Sequence, residues 1–345
     1  MKLCVNWLPA SPDLTGRLAV AVEQAGLWGL GIGDSPNYGE LYAACDRALA
    51  ATERIKVLTS VTNPVTRHVS VHVSAARTFE ASHPGRFTLG IGRGDSAVRT
   101  FGLRPATTPL LRDTLRQVRA TVPGTRLLVA ASGTATAALA GEHADGVIAG
   151  VGADETALAA ISASVRAGSD ASGGHGRPRP EVWASVRLAV ARSEEELPAL
   201  RARLVPRAVS ASHFAFSGGL AGQHIPAAFR DVMAERYQRY DYAWHGRSAR
   251  SPNATMFADR PDIEEYLLGR FAVVGTAEAC RRQLMTLQQQ VDGIFLSLLF
   301  EDVLDQFSRV ARLFGPRELA QSGSPRPGFA PSAPVTAPGT GPGPC

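Results

Sequence analysis

VLTSVTNPVTRHVSVHVSAARTFEASHPGRFTLGIGRGDS, residues 57–96, holds two short strands joined by a helical segment, and each strand ends in a polar turn. Val57 and Leu58 begin the first strand. The groups from Thr59 to Asn63 that follow can hydrogen-bond a ligand, and Pro64 ends the run because it lacks an N–H and forces Asn63 out of helical geometry. Between Ser70 and Glu80 small and apolar residues recur every three to four positions, the period of a helix lying on a sheet. Residues 86–89 form the second strand. Residues 90–96 follow with glycines at 90, 92 and 94, so the backbone can approach a ligand closely and turn free N–H groups toward an anion.

The same alternation extends in both directions. Residues 3–7 are an apolar run broken by Pro9, and 12–25 carry apolar residues at helical spacing behind a Ser11 N-cap. Residues 28–33 form a strand that runs into Asp34-Ser35-Pro36, with a helix over 38–52. Downstream, 109–121, 134–142 and 154–165 read as helices and 126–131, 145–149 and 182–190 as strands, so seven strands precede residue 192. Residues 205–258 have the aromatic, His and Gly content of a functional insertion. Helices over 263–269 and 278–290 then lead to a strand over 293–299 and a last helix over 302–313. A strand returns about every 25 to 30 residues in the first hundred, as in parallel strands joined by right-handed crossovers. Eight repeats predict one α/β domain, a (β/α)8 TIM barrel over 1–318 with the insertion before its last strand and an active site where strands run into helices. Residues 319–345 are Pro, Gly, Ser and Ala with almost nothing to bury, the composition of a disordered tail.

The 345 residues are 45% apolar and 19% charged, enough to bury a real core. The net charge of +5 is carried almost wholly by arginine, Lys2 and Lys56 being the only lysines, and there is no basic run of five or more. Nucleic-acid binding is therefore not expected. Cys4, Cys45, Cys280 and Cys345 show no metal or redox spacing. The opening MKLCVNWLPASP is too short an apolar run for a signal peptide or a membrane span, so the expected location is cytoplasmic, away from membranes. HExxH, GxSxG and Walker patterns are absent, leaving metal hydrolysis, serine hydrolysis and nucleoside triphosphate chemistry without support.

Conspicuous polar groups fall at strand ends: Asn6, Asp34, residues 60–63, 90–96, 132–133 and 146–150. Each alone could be a turn or a cap. Their recurrence at successive strand ends, which converge on one mouth in a barrel, points to a binding site. His213, His224, Tyr240, Asp241 and His245 cluster in the insertion. His213 and His245 are candidate proton donors or acceptors on a lid, against the plainer reading that they fold the lid or pack at a dimer surface.

SVTNPVTRH at 60–68 followed by LGIGRGDSA at 89–97 resembles the bacterial luciferase-like superfamily, and within it the methylene-tetrahydromethanopterin reductase-like branch. GIGDSP at 31–36, AASG at 130–133, ADGVI at 144–148 and FAVVGT at 271–276 match that branch in order. The resemblance implies a flavin or deazaflavin ring held edge-on against the third strand at a non-prolyl cis peptide, for which Ser60-Val61 is the matching pair. It puts Asp34 and Asp95 near the ring or its side chain, with Thr62 and Asn63 as polar contacts and Asp34 as a catalytic candidate. Gly92 and Gly94 belong to the cofactor loop. Ser132-Gly133 and Gly146-Val147 would turn backbone N–H groups toward the cofactor phosphate. Arg93 has three readings open: pairing with the phosphate, pairing with Asp95, or pointing outward. Arg67-His68 could position the loop or face the substrate.

The implied activity is hydride transfer between coenzyme F420 and a small organic substrate, by reduction of C=C or C=N or the reverse oxidation. A reduced-FMN two-component monooxygenase, partnered by a flavin reductase, is the alternative, and a non-catalytic flavin-binding protein is a third reading. A homodimer is implied as well. Relatives carry an extra polar hairpin before the strand that starts at Arg126, which this chain lacks, so either the mouth is more open or the insertion covers it.

Overall fold

Strand and helix alternate from the start of the computed structural model, which describes residues 1–173, 178–216, 224–244 and 251–314. The first half runs β1 (Lys2–Trp7), α1 (Pro12–Gln24), β2 (Gly29–Ile32), α2 (Leu41–Ala50), β3 (Lys56–Thr59), α3 (Val69–Ser82), β4 (Phe87–Ile91), α4 (Ser96–Arg99), α5 (Thr108–Thr121) and β5 (Arg126–Ala131). It continues with α6 (Thr134–His143), β6 (Gly146–Ala149), α7 (Glu155–Ala171), β7 (Glu181–Ala191), α8 (Leu197–Ala215) and α9 (Ala227–Tyr237). The chain then forms α10 (Pro261–Phe271), β8 (Ala272–Thr276), α11 (Ala277–Gln288), β9 (Gly293–Ser297) and α12 (Val303–Val310). Local chemistry sets the helix starts: Ser11, Thr107 and Asp154 accept hydrogen bonds from the backbone N–H groups of Leu14, Leu110 and Ala157 at 3.1, 3.3 and 2.8 Å.

All strand pairings are parallel, and β1 to β7 follow one another around a ring that β9 closes by pairing with both β7 and β1. The result is the expected eight-stranded (β/α)8 barrel. β8 lies outside the ring: β7 is 11 residues long, and it pairs with β9 through Trp183–Arg187 and with β8 through Arg187–Ala191. The sequence reading did not count β8 as a strand, because it starts without a break at the end of α10. Gly90 and Ile91 also differ from expectation. They continue β4 in register with Leu128 and Val129 instead of opening the loop.

The barrel interior is filled by Cys4, Leu58, Leu128, Ile148, Trp183 and Phe295. The Trp183 ring lies 5.2 Å from Phe295 and 4.6 Å from Trp28, centroid to centroid. Glycine makes the room: a Cβ on Gly293 would come within 2.4 Å of the Trp183 ring, and one on Gly31 within 3.3 Å of Phe295. This plug occupies the N-terminal half of the barrel, so space remains at the C-terminal mouth. A separate apolar cluster, with Leu204, Val209, Met233, Phe257, Leu267 and Phe271, holds α8, α9 and α10 together outside the ring. The excursion between β7 and β9 is thus larger than the 205–258 insertion read from sequence. The 319–345 segment read as a tail lies outside the described residues. No helix among the described residues is long and apolar enough to cross a membrane.

Glu181 closes the N-terminal end of the barrel. Its carboxylate accepts from Lys2 Nζ at 2.8 Å, Arg126 Nη2 at 2.5 Å and Trp183 Nε1 at 2.8 Å. Burial alone would raise this carboxyl, but Arg126 and Lys2 outweigh it and hold the group below the ordinary glutamate range. Glu181→Ala should lower the unfolding free energy by about 2 kcal/mol, by analogy with other half-buried ion pairs cut on one side. Because the folded carboxyl titrates below the unfolded one, that stability is present above the unfolded pKa and lost as pH falls through the folded value. Denaturant titrations followed by tryptophan fluorescence should show the gap between wild type and variant closing in acid.

Candidate active site

A cavity of about 1470 Å3 opens at the C-terminal ends of the strands. Asn6, Gly33, Asp34, Ser60, Val61, Gly92, Ala131, Ser132, Gly150, Ser185, Arg187 and Ser297 bring all eight ring strands to its wall, and α8 with Tyr240, Trp244 and Asn253 supplies the remaining side. Convergence of this kind follows from barrel closure, which aims every strand end at the same space.

On the β2 and β3 side, the Ser60–Val61 peptide is cis, where the resemblance implies such a bond. Asp34 follows β2. Its Oδ2 accepts from Thr62 Oγ1 at 3.1 Å and pairs with Arg67 Nη1, while Arg67 Nη2 reaches Glu40 at 3.2 Å. Burial pushes the Asp34 carboxyl above the usual aspartate range, and Arg67 and Thr62 hold it back. Thr62 is fully buried and does not line the cavity; it serves Asp34. Asn63 lines the cavity, yet its side chain is committed to its own turn: Oδ1 accepts from Val65 N at 3.0 Å and Thr66 N at 2.9 Å, and Nδ2 donates to Thr66 Oγ1 at 3.0 Å. The Thr62 side chain thus supports Asp34, and that of Asn63 holds its own turn at the cavity wall.

On the β4 side, Gly92 N donates to Thr62 O at 2.9 Å, tying the two strand ends together. Gly94 has φ of 79°, and a Cβ there would stand 2.9 Å from Asn63 Cβ, so only glycine lets this loop rest on the Asn63 turn. Asp95 pairs with Arg99 Nε at 2.7 Å; burial raises its carboxyl and Arg99 opposes the rise. Of the three readings open for Arg93, pairing with Asp95 is not what forms: Arg93 Nε donates to Ala106 O at 2.6 Å and the residue stands exposed at the rim.

Ser132, Gly133 and the first residues of α6 line the cavity, and nothing lies within 4 Å of a Cβ built on Gly133. The start of α6, where a helix leaves its first N–H groups without intrahelical partners and no side chain caps them, thus borders the cavity, a favourable setting for an anion. Gly146 and Val147 are different. They sit at the N-terminal end of β6, paired in the sheet with Leu128 and Val129 on one side and Glu181 and Val182 on the other, so they cannot serve the mouth. The glycine at the other end of the strand, Gly150, lines the cavity instead, close enough that a Cβ on it would lie 2.7 Å from Ser132 Oγ.

The insertion supplies one side of the mouth. Tyr242 O accepts from Thr100 Oγ1 at 3.3 Å, and the Arg99 guanidinium lies 5.4 Å from the Tyr242 ring centroid, clamping the insertion to the β4 loop. His213 does not line the cavity. It stacks on Tyr240 at 3.9 Å with an interplanar angle of 4°, bonds Tyr242 Oη through Nε2 at 2.9 Å and packs against Tyr237. These contacts tie α8 to the segment over 237–242. His245 lies outside the described residues. Asn253 joins the two sides of that segment, accepting from Asp241 N at 2.9 Å and donating to Asp241 O at 2.8 Å.

Sequence reasoning missed Arg187, Ser185 and Ser297. The signal was present as Ser and Arg on one parity of an otherwise apolar β7, but an exposed strand face reads the same way.

A family model described as luciferase-like monooxygenase matches residues 8–292. A 5,10-methylenetetrahydromethanopterin reductase of Methanolobus tindarius is 31% identical over 98 residues, 28% of this chain; the match spans 30% of that relative. Among solved structures, the coenzyme F420 dependent tetrahydromethanopterin reductase of Methanopyrus kandleri superposes with a TM-score of 0.68 at 17% identity, covering 90% of this chain and 97% of that one. The oxygenating constituent of a Pseudomonas putida 3,6-diketocamphane monooxygenase, in complex with FMN, gives 0.60 at 14%, covering 92% and 99%. At these identities the likeness to both structures is one of fold.

Two buried histidines give the structure a pH signature. Burial pushes both His72 and His213 down to about 4 from an ordinary value of 6.5. Each stays neutral in the folded state while its unfolded counterpart takes a proton, so stability is complete above 6.5 and declines as pH falls toward 4. In His213→Asn one of these two contributions is absent. Between pH 7 and pH 5 the variant should lose about 2 kcal/mol less than wild type, as read from unfolding curves at each pH. Equal losses in the two proteins would show that His213 is already charged in its aromatic pocket.

Proposed function

The chain belongs to the luciferase-like monooxygenase family and is a flavin- or F420-dependent oxidoreductase, and from that premise we propose that it uses the deazaflavin coenzyme F420 to move a hydride to or from a small organic substrate with a C=C or C=N bond. The observation that carries this reading is the cavity wall in which Ser60 and Val61 stand beside Asp34 and Gly92, with the start of α6 on the same space. The residues fit a bound coenzyme. Pockets for single small ligands run to about 300–1,000 Å3, so a larger space accommodates a tricyclic ring together with a substrate. Asn6 Oδ1 is a buried acceptor on that wall without a hydrogen-bond partner, suited to a ligand donor.

In this reading Val61 and Gly92 would back the ring, while Ser132, Gly133 and the α6 N-terminus would take the phosphate. Asp34 and Asp95 are each oriented by an arginine, so both would present acceptors of fixed direction to the coenzyme. The coenzyme would supply the hydride chemistry and the protein its orientation. The lid formed by Tyr240, Trp244 and Asn253 would limit water. Preference for F420 over FMN rests on the likeness of residues 31–36 and 60–68 to the reductase branch, supported by the Methanolobus relative. A reduced-FMN monooxygenase served by a flavin reductase is the second reading, favoured by the FMN-bound Pseudomonas structure of the same fold.

Titration of the purified protein with oxidised F420, followed by coenzyme fluorescence and run in parallel with FMN, separates the two. Tight F420 binding with weak FMN binding is expected; the reverse order would sink the F420 reading in favour of the monooxygenase. Gly133→Asp tests the phosphate cradle. Gly133 has ordinary extended geometry and N-caps α6, so aspartate should leave stability unchanged or raise it by about 0.3 kcal/mol. The new carboxylate should nonetheless weaken coenzyme binding roughly tenfold or more by like-charge repulsion.

A further inference from the structure

The charged groups that line the cavity are paired with one another or with neighbouring charges, except Arg187 and the exposed rim arginines Arg93 and Arg104. Asp34 is held by Arg67, Asp95 by Arg99, and Glu301 by Arg207, which reaches both its oxygens at 2.8 and 2.9 Å. Arg203 is taken by Asp302 at 2.6 Å. Arg187 has no ion pair and no hydrogen bond among the described residues. Its charged neighbour is Arg207, whose repulsion adds to burial in pushing the Arg187 guanidinium down to about 10, so it remains a cation at neutral pH. A desolvated guanidinium beside a second one is costly unless something compensates it. Tyr240 offsets part of that cost, but no carboxylate among the described residues pairs with Arg187, so the compensating anion must enter the cavity.

The barrel places this charge with respect to the coenzyme site. Arg187 is in register with Ser297 of β9, which is in register with Asn6 of β1, so the three form one row across neighbouring strands at the mouth. Asn6 Nδ2 donates to Ser297 Oγ at 3.0 Å, leaving the serine hydroxyl hydrogen free to donate. β7 stands four strands from β3 in either direction around the ring. Arg187 therefore faces the strand against which the coenzyme ring is proposed to stand, with the intervening space left for a substrate. The α6 cradle is two strands away.

We propose that Arg187 and Ser297 form an oxyanion-recognition subsite for the substrate, so that the molecule oxidised or reduced here carries a carboxylate or phosphate group. Arg207 and Ser210 of α8, which also line the cavity, flank that subsite. Its use by a substrate rests on the reading of the cavity as a coenzyme and substrate chamber; the anion site itself does not.

The test is calorimetric titration of the full-length protein with glutarate, inorganic phosphate and uncharged glutaramide, each with and without F420. Wild type should bind one of the two anions and not the diamide. Loss of one charge-assisted contact should weaken that anion roughly tenfold or more in Arg187→Gln, with partial recovery in Arg187→Lys. F420 affinity should stay within about twofold in both variants, since the coenzyme contacts lie elsewhere. Removing an unmatched cation should leave the melting temperature of Arg187→Gln equal or higher, whereas a structural arginine would give a drop. Absence of anion binding in wild type, or equal binding in Arg187→Gln, overturns the proposal. A parallel fall in F420 affinity overturns it too, by assigning Arg187 to the coenzyme's own anion. Loss of anion binding in Arg187→Gln by a protein that binds neither F420 nor FMN would overturn the coenzyme reading and leave the anion site standing.

Discussion

The need to fill the barrel axis governs the rest of the molecule. Eight strands enclose a space that side chains must fill, and Trp183 with Phe295 takes much of its N-terminal half because Gly293 and Gly31 withhold their side chains. Glu181, anchored by Lys2 and Arg126, closes the end below the tryptophan. The plug stops at the level of Phe295, so the C-terminal half of the barrel stays hollow. Position and depth of the cavity are thus set by packing at the opposite end of the strands.

Above the plug, charge is distributed with the same economy. Arg67 serves Asp34 and Glu40, and its guanidinium lies 5.8 Å from the Tyr42 ring centroid; Arg99 serves Asp95 while stacking on Tyr242 of the lid. Each arginine therefore joins a strand end to a neighbouring segment, and a change in occupancy of the cavity would be felt through these links. α8 supplies the remaining wall and carries Pro206 in its middle, among the cavity-lining residues. Proline removes a backbone donor there, which leaves the Ala202 carbonyl, also on the cavity wall, without its usual helical partner.

Much of this was legible in the chain itself, wherever local chemistry decides. Ser11 caps α1 as its spacing implied, β5 runs from Arg126 to Ala131 as read, and the SVTNP and GRGD turns do end β3 and β4 at the mouth. Misreadings have a common physical origin in what a linear pattern cannot encode. Gly146 starts a strand and Gly150 follows its end, and nothing local distinguishes a glycine that admits a neighbouring strand from one that admits a ligand. Thr62 and Asn63 were recognised as polar residues at the right turn, but which way their hydrogen bonds point depends on Asp34 and on the Thr66 turn. Arg187 was passed over because in a strand of alternating polarity the polar face is assumed to meet water, whereas a barrel turns that face inward.

The bracket that Asn253 forms with Asp241 has an evolutionary reading. Two hydrogen bonds hold the ends of residues 241–253 together irrespective of what lies between them. Lengthening the stretch beyond Tyr242 and Trp244, which keep their own contacts, then adds a loop-closure entropy of about 0.6 kcal/mol for each doubling of length. The barrel, its plug and its paired charges need not change when that enclosed stretch does. Such a bracket makes the lid a cassette, in which the rim of the cavity can be rewritten by insertion or recombination while the chamber beneath is inherited intact.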